Sequence, residues 1–353
     1  MSVVHVVVPD GIDDPRRPSG GNTYDRRICR GLAEFGWTVD EQSVTGGWPF
    51  PDDAARRALA DVLDAIPAGE VVLIDGLIAS TVPDVLVPRA DRVRLVVLMH
   101  MPVGSGLSVD DVVGKGERAV LEAAVATVTT SRWTRDWLLD QYGLAPESVH
   151  VASPGVDLAK LASGTVGGGE LLCVAAVTRA KGHDVLLGAL ATLTDLPWTC
   201  TCVGSLDRDP DLVDELRELV IDGGLEDRIR FVGSRIGPDL DSAYAAADVL
   251  VLASSAETYG MVVTEALACG LPVVTTTAGG LPEALGRGAD GGRPGLLVPP
   301  GDSGAFAAAL QRWLDDVGLR RRLRLAASER RTTLPGWSST TGRMSRILME
   351  AGA

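Results

Sequence analysis

Val249-Leu-Val-Leu-Ala-Ser-Ser-Ala-Glu257-Thr-Tyr-Gly-Met-Val-Val-Thr-Glu265-Ala-Leu-Ala-Cys-Gly-Leu-Pro-Val-Val-Thr275 is the stretch on which the fold turns. Residues 249–253 are apolar without polar alternation, which predicts a strand covered on both faces. A polar loop follows, then a helix over 264–269, then a second apolar strand at 272–275. Strand, helix and strand in that order are the repeating piece of a parallel sheet with helices on its faces. The same alternation extends in both directions. Strands are expected at 3–8, 70–74, 94–99, 126–130 and 149–152, and after a break at 171–177, 198–203, 229–232 and 295–298. Helices are expected at 24–35, 53–66, 117–124 and 132–141, then at 184–193, 211–222, 239–246 and 303–315. The chain is therefore read as doubly wound α/β.

The break holds Ala152-Ser-Pro-Gly-Val-Asp157 and Ser163-Gly-Thr-Val-Gly-Gly-Gly169, the most turn-rich part of the middle of the chain. With 353 residues, 46% of them apolar, each half has enough material for its own core. Two Rossmann-like domains are expected, 1–153 and 154–336, facing a central cleft where the strand C-termini would meet a ligand. Pro335-Gly336-Trp337 opens a last amphipathic helix, about 337–353, expected to pack back on the first domain.

The net charge of −14 argues against nucleic acid and against anionic lipid surfaces, both of which call for clustered cations. The five cysteines form no CxxC pair, and the four histidines show no HExxH spacing. Neither a disulfide framework nor a protein-held metal or other cofactor is expected. The amino terminus lacks a basic segment ahead of its apolar run, which Pro9 ends, and no stretch approaches 18 uninterrupted apolar residues. The expectation is a cytoplasmic protein with no transmembrane segment.

Three loops after strands carry the chemistry. Ser19-Gly20-Gly21-Asn22 follows the first strand; paired glycines admit close approach of a ligand to the helix N-terminus they open. Asn22 is read there as the N-cap, with Asp25 in a capping-box-like position. The plainer reading is a capped helix after a loop. Thr178-Arg179-Ala180-Lys181-Gly182-His183 follows the first strand of the second half, where a lysine is well placed for a diphosphate; the plainer reading is a solvated cation. Glu257 and Glu265 lie eight residues apart with Gly260 between them, the first in a loop above the sheet and the second inside the helix. Two fixed acceptors flanking helix N–H groups suit a polyhydroxylated ligand that bears a diphosphate. No GxxxxGKS or GxxxxGKT loop, no GxGxxG after the first strand and no GxSxG elbow occurs, which excludes a P-loop NTPase and counts against dinucleotide and α/β-hydrolase sites.

At these residues a family resemblance becomes specific. Ser254 to Glu265, Gly270-Leu-Pro-Val-Val-Thr-Thr-Thr-Ala-Gly-Gly-Leu-Pro-Glu283 and Gly295-Leu-Leu-Val-Pro-Pro-Gly-Asp302 resemble retaining glycosyltransferases of family 4, which have the GT-B fold. Gly20-Gly21, His100-Met-Pro102 and Pro154-Gly-Val-Asp157 are similar as well, so the resemblance covers nearly the whole chain. It implies that Glu265 accepts hydrogen bonds from the ribose of a nucleotide-sugar donor and that Glu257 holds a hydroxyl of the transferred sugar. The backbone of Tyr259, Gly260, Met261 and Val262 would lie beside sugar and diphosphate. Lys181 would bind the diphosphate, with Gly20 and Gly21 approaching it from the other domain. His100 would stand near the transferred sugar, its plainer reading being a structural histidine at the end of a strand. Arg235 and Ile236 fall in the loop where the family holds the nucleobase. There is one departure: the arginine common in the family five residues before the lysine is Ala176 here. Arg179 either takes over that phosphate contact or points to solvent.

The expected activity is a retaining, metal-independent transfer of a hexosyl group from a nucleoside-diphosphate sugar, UDP being the commonest donor in the family, to a hydroxyl of a small-molecule or sugar acceptor. A non-catalytic nucleotide-sugar-binding partner subunit and a nucleotide-sugar epimerase are the alternatives. Acceptor contacts are expected from residues 10–19, 46–50 and 102–109. The alanine-, glycine- and arginine-rich composition suits a high-GC bacterial source.

Overall fold

A computed structural model describes residues 2–14, 18–105 and 111–353; parts of two expected acceptor loops, 15–17 and 106–110, lie outside the described residues. The chain divides into two compact units, one made of residues 2–14, Ser19–Gly155 and Trp337–Ala353, the other of Val156–Gly336.

The first unit is a six-stranded parallel sheet. Its strands are β1 (Ser2–Pro9), β2 (Trp37–Val44), β3 (Val71–Asp75), β4 (Arg94–Met99), β5 (Ala126–Thr129) and β6 (Val149–Val151), in the spatial order β2-β1-β3-β4-β5-β6. Every residue of β3 is buried, as the unbroken apolar run requires with helices on both faces. β2 was not expected from the sequence. It is an edge strand, and its exposed Thr38, Glu41 and Ser43 break up the apolar signal. Helix Gly20–Glu34 buries Tyr24, Ile28 and Leu32 at a four-residue spacing, the stripe a helix lays on a sheet. The final helix, Trp337–Ala351, packs on the same helix, with Trp37 Nε1 donating to Ser345 Oγ at 2.9 Å and Thr340 Oγ1 to the Ser153 carbonyl at 2.8 Å.

The second unit repeats the plan with β7 (Glu170–Val174), β8 (Thr199–Val203), β9 (Ile229–Phe231), β10 (Val249–Leu252), β11 (Val273–Thr276) and β12 (Gly295–Val298), in the order β12-β11-β10-β7-β8-β9, all parallel. Phe306 and Trp313 of helix Ser303–Asp315 are fully buried, each stabilising by roughly 1.5–3 kcal/mol or more through apolar area alone. A further helix, Val317–Thr332, was not expected. It is arginine-rich and buries a narrow stripe, chiefly Leu319, Leu323, Ala326 and Ala327.

Both sheets wind outward in one direction and then start again on the other side of their first strand. The reversal falls between β1 and β3 in the first unit and between β7 and β10 in the second. Loops leaving the C-terminal ends of such a strand pair part company and leave a crevice, where open α/β sheets bind ligands.

Candidate active site

In the second unit the crevice is lined by the loops after β7 and β10. Ser255 donates through its backbone N–H to the Ala180 carbonyl at 2.9 Å, which ties the two loops together. Lys181 Nζ then donates to Glu257 Oε1 at 2.6 Å, and Ser254 Oγ donates to the same oxygen at 3.1 Å. The Lys181 side chain keeps 28% of its exposure and that of Glu257 12%, so the pair faces a crevice rather than open water. Glu257 is fixed from behind by residues 278–280: the Gly280 N–H donates to its carbonyl at 2.8 Å. Side chains have no room there, since a Cβ on Gly279 would lie 1.8 Å from the Glu257 carbonyl oxygen and one on Gly280 2.2 Å from that of Thr258.

Helix Met261–Ala268 starts beside this pair. Its N-cap is Gly260 at φ +92°, a conformation that favours glycine, and no side chain caps the helix. The first amides are thus left for a ligand, with the positive end of the helix behind them. Tyr259 is buried, so it offers its backbone, while Met261 and Val262 are half-buried. Glu265 lies one turn further on, its Oε2 accepting from the Tyr244 hydroxyl at 2.8 Å. Burial, reinforced by the charge of Asp241 and opposed by the Tyr244 hydrogen bond, raises its pKa. A carboxylate in that condition gains from additional hydroxyl donors.

Other expected residues fall elsewhere. Arg179 is exposed and donates to Glu215 Oε1 at 2.8 Å, an ion pair in solvent and not a partner of the Lys181–Glu257 pair. Arg235 and Ile236 are both exposed in the loop after β9.

In the first unit the crevice receives residues from three elements. Ser19, not Asn22, caps helix Gly20–Glu34, its Oγ accepting from the Asn22 N–H at 3.1 Å. The expected cap was one turn late because Gly20 and Gly21 themselves form the first helical residues. Asp25 consequently makes no capping box. It is buried, and its Oδ1 meets His100 Nε2 at 2.7 Å. His100, just beyond β4, packs against Gly21, where a Cβ would sit 3.4 Å from the ring, and edge-on against Tyr24. Asp75, the last residue of β3, is also buried and accepts from the Leu77 N–H at 2.7 Å. One polar side-chain atom from each of Asp25, Asp75 and His100 lies within 4.8 Å of the other two. No local sequence pattern marks this trio, whose members are 25 to 75 residues apart.

Two six-stranded doubly wound units of this kind make the chain a GT-B glycosyltransferase in architecture. The solved structure of sucrose-phosphate synthase from Thermosynechococcus elongatus matches with a TM-score of 0.80 at 23% identity, over 99% of each chain. That of Anabaena HepE in complex with UDP and glucose matches with a TM-score of 0.78 at 22% identity, over 99% of this chain and 100% of that one. Two family models also match, Glycosyltransferase Family 4 over residues 18–160 and Glycosyl transferases group 1 over 168–316. The chain belongs to this glycosyltransferase family. Among curated relatives, D-inositol 3-phosphate glycosyltransferase 1 of Catenulispora acidiphila is 34% identical over 67% of this chain and 60% of its own length. The D-inositol 3-phosphate glycosyltransferase of Kineococcus radiotolerans is 36% identical over 64% of this chain and 57% of its own length. The chain thus spans somewhat more than half the length of these relatives. Among the described residues no helix is long and apolar enough to cross a membrane.

Proposed function

We propose that this protein is a cytoplasmic, retaining hexosyltransferase that takes its sugar from a nucleoside-diphosphate donor, UDP being the first to test. One observation carries the reading: Lys181 and Glu257 are held 2.6 Å apart beside a helix N-terminus without a side-chain cap, with Glu265 one turn further along. Lys181 and the amides of Met261 and Val262 are the natural ligands of a diphosphate, Glu265 of ribose hydroxyls and Glu257 of a sugar hydroxyl. Gly20, Gly21 and His100 are assigned to the diphosphate and the transferred sugar, and Arg235 and Ile236 to the surroundings of the base.

As the glycosidic bond breaks, negative charge grows on the departing phosphate. Lys181 has two further N–H donors beyond the one on Glu257, and the helix amides are already oriented, so this charge is stabilised without a resident metal. The departing phosphate oxygen takes the proton of the acceptor hydroxyl on the same face of the sugar, which yields retention. The names of the curated relatives and of the UDP-bound structural neighbour favour a polyol or polyol phosphate acceptor and a UDP-sugar donor.

Calorimetric titration with UDP, GDP and ADP, repeated on Glu265→Ala, tests the site. One nucleotide is expected to bind in the micromolar range and to lose at least tenfold in affinity in the variant. Absence of binding by all three refutes the donor-site assignment. Product analysis by NMR, with donor, D-inositol 3-phosphate and a chelator, then separates transfer with retention from epimerised donor or binding without turnover.

A further inference from the structure

The first-unit trio raises a question of charge that its surroundings answer. Asp25 Oδ2 is buried and has no hydrogen-bond partner, and Asp25 and Asp75 help to line a small cavity walled by Val6, Val8, Leu73 and Leu98. An anionic oxygen cannot rest against such walls uncompensated. Among the described residues no lysine or arginine hydrogen-bonds to it. The neighbouring Arg26 turns outward to Asp13 and Glu41. Tyr24 and Cys29 complete the surroundings, and both stay neutral: burial first, then the charge of Asp25, pushes the Cys29 thiol up to about 12 and the Tyr24 hydroxyl higher still. A dication would have to displace the 2.7 Å contact between His100 Nε2 and Asp25 Oδ1 and find its remaining ligands among aliphatic side chains and the Cys29 thiol, which burial keeps protonated. A proton needs neither.

We propose that Asp25 and Asp75 are positioning residues for His100: the two carboxyls share one proton, so that a single negative charge on Asp25 holds His100 as an imidazolium through Nε2 and leaves its Nδ1–H as the donor offered to a ligand. The geometry follows from the fold. Asp75 ends β3, His100 follows the adjacent β4, and the strand reversal beside β1 lets the helix carrying Asp25 drop its carboxylate between them. The direction of proton affinities agrees. Burial, with the charge of Asp25, pushes Asp75 up to about 7. Burial alone would lower His100, but the charge and hydrogen bond of Asp25, helped by Asp75, outweigh it and lift the ring to about 9. Below about pH 7 Asp75 then keeps its proton and His100 carries its charge. The catalytic meaning rests on the glycosyltransferase reading, in which the Nδ1–H donates to the sugar; the charge state does not.

Nitrogen-15 NMR titration of the imidazoles in the ligand-free protein tests the charge state, with His100→Gln assigning the signal. The ring is expected to remain doubly protonated up to pH 8, to fall by about two pH units in Asp25→Asn, and to stay high in Asp75→Asn, whose amide donates to Asp25 as the shared proton does. Titration of the wild-type ring near 6.5, or an unchanged ring in Asp25→Asn, overturns the proposal. So does broadening of the His100 signal by micromolar Mn²⁺, which would make the trio a metal centre. Steady-state kinetics gives the second readout: Asp75→Asn should remove the limb near pH 7 from the kcat profile and leave KM for the donor within twofold. A limb that persists overturns the role of Asp75. Should no donor be turned over at all, the glycosyltransferase reading fails while the NMR result stands.

Discussion

Gly280→Ala is the sharpest test of how the donor site is held. Gly280 has φ −81° and ψ −1°, which alanine adopts without strain, so the substitution adds one methyl group and nothing else. That Cβ would lie 2.2 Å from the Thr258 carbonyl oxygen and 2.9 Å from the Tyr259 Cα. Ordinary contact begins near 3.4 Å, so the two backbone segments must part by about 1.2 Å. Overpacking of this kind costs about 1–3 kcal/mol. The 2.8 Å hydrogen bond from the Gly280 N–H to the Glu257 carbonyl is lost in the same movement, for about 1 kcal/mol. Against this stands a gain of about 0.4–1 kcal/mol from stiffening the unfolded chain. The net loss of about 1–3.5 kcal/mol should lower Tm by roughly 2–14 °C for a unit of this size. UDP affinity should fall at least tenfold, because Glu257 and the helix N-terminus travel with the displaced loop. Differential scanning fluorimetry and calorimetric titration measure both, with Gly167→Ala as control, since a Cβ there meets nothing within 4 Å. A Gly280→Ala protein with wild-type Tm and wild-type UDP affinity would refute the claim that residues 278–280 fix the site.

Three further outcomes follow from the same geometry. Lys181→Ala should weaken UDP binding by about 1.5–3 kcal/mol, whereas Arg179→Ala, which removes an exposed ion pair, should stay within twofold; equal losses would restore Arg179 to the phosphate. Asp248 is fully buried and accepts from Thr165, from the Glu170 N–H and from Arg324, so Asp248→Ala should cost about 3 kcal/mol in urea unfolding while the Lys181–Glu257 pair stays intact. Asp75 is more basic in the folded protein than in the unfolded chain, so its contribution to stability is complete below pH 4 and is lost as pH rises to about 7. Asp75→Asn should therefore gain on wild type by roughly 1–4 kcal/mol between pH 4 and pH 7.5 in chemical unfolding, and a difference independent of pH would contradict the assignment.

The two units differ in how much of their chemistry the sequence displays, and the reason is where the site residues come from. In the second unit the residues that meet are carried by loops immediately after strands, and each loop keeps its functional groups within a few positions: Lys181 with its glycine, then Glu257, Gly260 and Glu265 in one run. Strand recognition alone brings these loops to the same sheet end, because the apolar runs of β7 and β10 are legible. What escaped there was tertiary choice: Arg179 had Lys181's loop in common but found Glu215 on the helix Pro210–Asp222. In the first unit the edge strand β2 is too polar to announce itself, and the N-cap is decided by Ser19 against an equally good Asn22. Asp25 then occupies a place where helix-end chemistry explains it locally, and the local explanation is the wrong one. Its partners stand 50 and 75 residues away, at the ends of β3 and β4, and only the reversal of strand order at β1 brings them together. A buried carboxylate on a helix has no local signature that separates it from a solvated one; the separating fact is the apolar wall it faces, which is a property of the assembled sheet.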